Sequence, residues 1–186
     1  FTYQLMQTDP NFANYLYQPD NQRIALLDFG ATHKISLPVV QFYHQLMLAG
    51  FAGDDATLEE TMEGIGFIDE NTKDSQRKQL VHMVKFVFET LQEDRYLDFA
   101  DTKLATHLQN LAISLAKDGF IPPPLPIDVL LLQRKIGGMF LLAAKLAARV
   151  NVVSLVADRL KDTAPSYKTN RSFQINDQSR QITDEA

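Results

Sequence analysis

A short hairpin pattern within residues 7–32 most constrains how this chain can fold. Residues 15–17 (Tyr-Leu-Tyr) and residues 23–27 (Arg-Ile-Ala-Leu-Leu) are short runs of aromatic and apolar side chains that favour strands. Residues 19–21, Pro-Asp-Asn, are typical of a turn, because proline presets its backbone angle and the other two side chains can bond the local backbone. An antiparallel hairpin is therefore predicted, with the chain before its first strand next to the chain after its second.

Two acids and an amide lie at those two ends. Asp9 and Asn14 precede the first strand, and Asp28 opens the run Asp28-Phe29-Gly30 after the second. Alone, that run could be a solvated turn. Together the residues have the order in which protein kinases use a catalytic aspartate, an asparagine and a second aspartate. Asn14 and Asp28 offer the oxygen ligands that Mg²⁺ prefers beside phosphate, and Asp9 offers a carboxylate that orients a nucleophile. Gly30 is predicted to allow the turn. Phe29 is predicted to pack into the lobe of the fold that carries this hairpin, and so to set the position of Asp28.

Two blocks of this sequence closely resemble a known family. The first joins residues 6–11 (Met-Gln-Thr-Asp-Pro-Asn) to residues 25–32 (Ala-Leu-Leu-Asp-Phe-Gly-Ala-Thr), and the second joins residues 122–124 to residues 134–140 (Arg-Lys-Ile-Gly-Gly-Met-Phe). They resemble the UbiB/AarF family of atypical protein-kinase-like proteins, which includes the ADCK-type proteins required for coenzyme Q (ubiquinone) biosynthesis. The resemblance runs from the first residue to about Arg149.

The resemblance implies the C-terminal lobe of a protein-kinase-like fold, mainly α with a small β-hairpin. It implies that Asp9 is the catalytic acid, that Asn14 and Asp28 hold Mg²⁺ on ATP, and that Phe29 and Gly30 complete the nucleotide site. The implied activity is that of an atypical kinase or ATPase that supports ubiquinone biosynthesis by ATP hydrolysis or by phosphorylation of a small molecule or lipid. The implied partners are ATP, a lipid or quinone precursor and a membrane surface, in bacterial cytoplasm or, alternatively, in mitochondria.

Several departures from ordinary protein kinases bear on the substrate. Residues 7–8, Gln-Thr, stand where those kinases carry His-Arg, and Asn11 stands where they often carry a lysine aimed at the transferred phosphate. No Ala-Pro-Glu follows Gly30, and a helix is predicted almost at once, from Ser36. The segment that docks peptide substrates is therefore very short or absent, which disfavours protein phosphorylation. The second hypothesis is a non-catalytic module whose docking to a membrane-associated complex is switched by nucleotide.

After Thr32 the pattern is helical, with apolar side chains recurring at three- and four-residue spacing. Residues 127–149 are apolar on most faces, which predicts the central buried helix. Within it, Arg134 and Lys135 predict either a partner for an acid of the catalytic half or a salt bridge that locks helix to lobe, and Gly137-Gly138 predict close packing or a ligand contact. Helices are predicted over residues 36–50, from a capping box at residues 57–60 to about residue 65, and over residues 72–91, 101–118, 127–149 and 153–161.

These elements predict one kinase-like lobe over residues 1–162, with the catalytic loop and hairpin at residues 7–32 and a helical body at residues 36–162. Residues 163–186 are polar and are expected to be a flexible tail. Residues 1–6 resemble the tail of a helix, and no glycine-rich phosphate loop is visible, so the N-lobe of the same protein is expected to be missing and the fragment alone to be inactive.

Composition excludes several other functions. The chain has 186 residues with 45% hydrophobic and 22% charged side chains, which suits one globular core. Its net charge of −5 argues against a nucleic-acid partner, and the lack of cysteine excludes disulfides and thiolate metal sites. The four histidines match no zinc pattern, although His33 could either approach the phosphates or be a solvated loop residue.

Overall fold

The computed structural model describes residues 3–93 and 96–162, and within them the chain is mainly helical. In these two ranges six short strands pair two by two, and six α-helices follow or separate them. In chain order the described elements are β1 (Leu5–Gln7), β2 (Tyr15–Gln18), β3 (Arg23–Leu26), β4 (Thr32–Lys34), α1 (Leu37–Ala52), α2 (Asp55–Ile65), α3 (Asp74–Glu93), β5 (Leu97–Asp98), α4 (Lys103–Lys117), α5 (Ile127–Lys145), β6 (Arg149–Val150) and α6 (Val152–Asp162). The expectation of a flexible polar tail falls on residues outside this description.

The predicted hairpin is confirmed. Strands β2 and β3 are antiparallel, with Tyr15 opposite Leu26. One further hydrogen bond, from the Leu27 amide to the Asn14 carbonyl at 3.0 Å, continues the ladder past the strand ends. Because Asp28 follows Leu27 directly, the hairpin brings Asp28 next to Asn14, as the sequence predicts.

A second antiparallel pair, between β1 and β4, joins the segments that flank this hairpin in the sequence. The prediction that residues 1–6 form a helix tail is wrong for Leu5 and Met6, which belong to β1, while residues 1 and 2 lie outside the described part. Thr8 strengthens the pair, because its amide and its hydroxyl both donate to the Ala31 carbonyl, at 2.9 and 2.8 Å. This pairing holds the chain before Asp9 against the chain after Gly30, so the same pair of strands supports both halves of the candidate site.

The capping residues at the ends of α1 and α2 were predicted from the sequence only in part. Helix α1 continues through Gly50 and ends at Gly53, which has a left-handed φ of 66°. Gly50 is needed for packing, since a side-chain carbon there would overlap the Phe88 ring. Helix α2 begins after Asp54, whose carboxylate accepts from the Thr57 amide at 3.1 Å. Asp54 therefore starts this helix, three residues before the capping box predicted at residues 57–60, and its place agrees with the alternative interpretation of Asp54 and Asp55 as a helix start rather than a second metal site.

The hydrophobic core lies among α1, α2 and α3, where removal of apolar surface from water stabilises the fold. Its most buried side chains include Leu58, Met62, Ile65 and Ile68, with Val129 contributed by α5.

Helix α5 is not the central buried helix that its apolar sequence predicted. Val129 is its buried residue, whereas Ile136, Leu141 and other large apolar side chains are exposed. The helix is also shorter than expected, because residues 149–150 leave it to pair with β5. In the described part of the chain, no helix combines the length and the apolar character needed to cross a membrane.

Candidate functional site

The loop after β1 holds Asp9 through a set of local hydrogen bonds. One Asp9 carboxylate oxygen accepts from the Asn14 side-chain amide at 2.9 Å, and the other accepts from the Asn11 backbone amide at 3.2 Å. The Asn11 side chain caps the short 3₁₀ turn Phe12–Asn14 by accepting from the Ala13 amide at 3.0 Å. Both oxygens of Asp9 are therefore positioned by the loop, while its side chain stays 33% exposed and accessible to a ligand.

The segment after the hairpin is a tight turn closed by Asp28. Its Oδ1 accepts from the Gly30 amide at 2.7 Å, and a side-chain carbon at Gly30 would lie 3.1 Å from that oxygen. Glycine at this position therefore leaves room for the turn, as predicted. The expectation that Phe29 packs into the lobe is wrong for this chain, because its ring is 62% exposed. The backbone turn, rather than the ring, sets the position of Asp28.

The donor set at this turn fits a magnesium ion bound together with phosphate. Asn14 uses its amide nitrogen on Asp9, which leaves its amide oxygen, and Asp28 uses Oδ1 on Gly30, which leaves Oδ2. Mg²⁺ commonly takes one or two such oxygens and completes its shell with phosphate and water. Within residues 3–93 and 96–162 no three histidine or acidic side chains cluster as a metal cage, so this pair would depend on phosphate oxygens for the rest of its ligands.

Helix α5 contacts the loop through the two cations that the sequence singled out. The Arg134 guanidinium lies 3.8 Å from Asp9 Oδ1. The Lys135 ammonium donates to the Tyr15 hydroxyl at 2.9 Å and to the Gln7 side-chain oxygen at 3.4 Å. The Arg134–Asp9 contact fits the first alternative drawn from the sequence, a partner for an acid of the catalytic half. Lys135 locks the helix to the loop through hydrogen bonds to neutral groups rather than through the predicted salt bridge. Gln7 and Tyr15 were not predicted to take part.

The two adjacent glycines of α5 have different roles. A side-chain carbon at Gly138 would overlap Cβ and Cγ of Pro10, the residue directly after Asp9, whereas one at Gly137 would meet nothing within 4 Å. The prediction of close packing is therefore confirmed for Gly138 and is wrong for Gly137. Gly138 lets α5 lie against the loop that carries Asp9.

His33 lies in β4 rather than in a loop, and its side chain is paired with helix α5. Its Nε2 lies 2.8 Å from Oδ1 of Asp128, in the first turn of α5, and Asp128 Oδ2 accepts from the Ser36 amide at 2.7 Å. Hydrogen bonds from Ser36, followed by that from His33, lower the pKa of Asp128 to about 2. Sequence reasoning missed Asp128, although an acid in the first helical turn, two residues after Pro126, is typical of a helix start.

Asp128→Asn is expected to destabilise the chain by about 1–2 kcal/mol at pH 7, because it weakens charge-assisted hydrogen bonds. The lowered pKa means that the carboxylate stabilises the fold above about pH 4 and loses this effect as the pH falls toward 2. Denaturant unfolding followed by circular dichroism should therefore show the wild type converging on the variant between pH 4 and 2. Asp20→Asn, in the exposed hairpin turn, is the control, and an equal loss of stability at pH 2 and pH 7 would contradict the prediction.

Comparison with known proteins identifies the family of this site. Residues 1–62 match the ABC1 atypical kinase-like domain, a range that contains Asp9, Asn14 and Asp28. The chain is also 30% identical over 155 residues to atypical kinase coq-8, mitochondrial, of Caenorhabditis elegans. It is 28% identical over 171 residues to COQ8B, mitochondrial, of Rattus norvegicus, and 29% identical over 156 residues to COQ8, mitochondrial, of Saccharomyces cerevisiae. The chain belongs to the UbiB/ADCK family of atypical kinase-like proteins.

The family resemblance drawn from the two sequence blocks is thus confirmed. The matches to the worm, rat and yeast proteins cover 81%, 92% and 83% of this chain but only 20%, 31% and 31% of those proteins. This UbiB/ADCK chain therefore spans between a fifth and a third of the length of the relatives it matches. Membership of a kinase-like family indicates the use of a nucleotide in general terms.

Proposed function

We propose that this chain is the C-terminal lobe of a UbiB-like atypical kinase or ATPase that uses Mg-ATP. One observation carries the proposal: the Asp9–Asn14 hydrogen bond and the hairpin bring a carboxylate, an amide oxygen and the Asp28 carboxylate to one edge of the lobe. Residues 1–162 would form the lobe, and the N-lobe of the same protein would cover the other side of the nucleotide. The chain alone would then bind ATP poorly.

Each site residue has a proposed role that follows from its atoms. Asn14 and Asp28 would hold Mg²⁺, which supplies positive charge to the phosphates when bound. Asp9 would orient the attacking hydroxyl or water and accept its proton, because its carboxylate is held by the loop yet accessible. Gly30 would keep Asp28 in its turn, and Phe29 would contact the nucleotide or the N-lobe with its exposed ring.

The short connection after the site supports a small acceptor over a peptide. Strand β4 begins at Thr32 and α1 at Leu37, so few residues separate the turn at Gly30 from the helical body. A peptide-docking segment of the usual kinase kind has no room there. We therefore propose ATP hydrolysis, or phosphorylation of a small or lipid-like molecule such as a quinone precursor, in support of ubiquinone biosynthesis.

The mitochondrial names of the relatives favour a mitochondrial location for this chain over a bacterial cytoplasmic one. In either compartment the proposed place of action is at a membrane surface, because lipids and quinone precursors reside there.

A second candidate function is a docking module that nucleotide switches without turnover. The hairpin beside the site favours it, since Tyr17, Ile24 and Leu26 present apolar surface to solvent. Exposed apolar patches of this kind mark surfaces that another protein segment covers. Under the first hypothesis that segment is the N-lobe, and under the second it is a component of a membrane-associated complex.

Magnesium-dependent ATP binding tests the proposal. Calorimetry on the full-length protein should show binding that Asp28→Asn weakens by about 10- to 100-fold, because an amide replaces a metal-binding carboxylate. Asp20→Asn, in the turn of the same hairpin, is the matched control and should bind like the wild type. Residues 1–186 alone should bind much more weakly than the full-length protein. Unchanged affinity in Asp28→Asn would contradict the proposed magnesium site.

A further inference from the structure

The loop around Asp9 lacks the cation that ordinary protein kinases place there. Asn11 occupies the position two residues after the acid, and its side chain is already used to cap the 3₁₀ turn by bonding the Ala13 amide. Even with the proposed Mg²⁺ counted, a bound polyphosphate keeps a net negative charge, and it would lie beside the two carboxylates of Asp9 and Asp28. Charge balance at the terminal phosphate therefore calls for a cation from elsewhere in the fold.

Helix α5 brings three cations toward this loop, and two of them are engaged. Lys135 is hydrogen-bonded to Tyr15 and Gln7, and Lys145 lies over the Phe12 ring, 5.6 Å from its centre. The remaining cation, Arg134, is different. It lies 3.8 Å from Asp9, which is beyond hydrogen-bond distance, and its side chain is 63% exposed. Among the residues that the structure describes, the Arg134 guanidinium donates no hydrogen bond.

A structural salt bridge would account poorly for this arrangement. An exposed ion pair at such a separation contributes about 0–1 kcal/mol to stability. The backbone that carries Arg134 is nevertheless fixed, because its neighbour Lys135 is bonded to the loop and Gly138 packs on Pro10. A guanidinium with open donors on a fixed helix matches phosphate oxygens well, since its planar fork can contact two of them at once.

We infer that Arg134 contacts the terminal phosphate of the bound nucleotide, in place of the lysine that Asn11 replaces in the loop. The inference rests on the proposed Mg-ATP function and adds a phosphate-contacting residue from a distant helix. It makes α5 part of the nucleotide site, although this helix lies outside residues 1–62, which match the family domain.

Calorimetry on the full-length protein tests the inference with two ligands, the magnesium complexes of ADP and of a non-hydrolysable ATP analogue with an imido bridge. Arg134→Gln should raise the Kd of the analogue by about 10-fold, the loss of one charge-assisted contact, and change the Kd of ADP by less than about 2-fold. Arg134→Lys should recover part of the difference, because it restores the charge without the fork. Arg149→Gln is the matched control, since that arginine is 71% exposed and lies 3.9 Å from Asp98.

The outcomes separate the inference from the proposed function. If the analogue binds the wild type and Asp28→Asn weakens it, but Arg134→Gln behaves like Arg149→Gln, the inference falls and the proposed function stands. Equal weakening of ADP and analogue by Arg134→Gln also overturns it, because that pattern reports a general shift of the loop. If neither ligand binds the wild type, the proposed function and the inference fail together.

Discussion

Asp9→Asn is expected to lower ATP turnover by about a thousandfold in the full-length protein and to change Mg-nucleotide affinity by less than about threefold. The substitution removes the negative charge that we propose orients the nucleophile and accepts its proton, and general acid–base catalysis typically contributes about 10²- to 10⁴-fold. The asparagine has nearly the same shape and can still accept a hydrogen bond from the loop. Steady-state turnover and calorimetry on the same preparations measure the two quantities separately.

The control for this prediction disturbs the loop without touching its charge. Asn11→Ala removes the bond that caps the 3₁₀ turn at Ala13 but keeps the Asp9 carboxylate. It should cost far less turnover than Asp9→Asn. If Asp9→Asn retains turnover within about tenfold of the wild type while Asp28→Asn abolishes binding, chemistry is not the role of Asp9, and the nucleotide-switched docking module becomes the better account.

The sequence predicts the half of the site that local structure forms, which is the hairpin with Asn14 and Asp28 at its ends. A turn signal between two strand-prone runs predicts the β2–β3 hairpin, and the register of this hairpin places Asn14 next to Asp28. Strands β1 and β4 could not be predicted in this way. Each has three residues, too few for a clear alternation, and each is stabilised by a partner distant in sequence.

The other half of the site depends on contacts between residues 95 or more positions apart. The sequence showed that two cations and two glycines interrupt an apolar helix, and it gave a contact of the cations with the catalytic half as one of two alternatives. It did not show that Lys135 bonds Tyr15 or that Asp128 pairs with His33. The prediction of a buried α5 was wrong for the same reason, because an apolar helix needs cover and a single sequence does not say whether this chain provides it.

Gly138→Ala is expected to lower turnover by about 100-fold, although it adds only one methyl group. The added carbon would overlap the ring of Pro10, and normal contact between carbon atoms requires a shift on the order of 1 Å between α5 and the loop. Pro10 follows Asp9 directly, so the shift moves the carboxylate that we propose acts in catalysis, and a misplacement of about 1 Å can cost about 10²-fold in rate. Overpacking should also cost about 1–3 kcal/mol of stability.

Gly137→Ala separates this effect from the general consequences of an alanine in α5. No atom lies within 4 Å of the added carbon at that position, and alanine favours a helix over glycine by about 1 kcal/mol. This variant should therefore turn over ATP like the wild type and unfold at a higher denaturant concentration. Turnover assays and denaturant unfolding of both variants measure this difference. If Gly138→Ala matched Gly137→Ala in turnover, the loop could absorb the methyl group without moving Asp9, and α5 would be a support for the lobe rather than a part of its site.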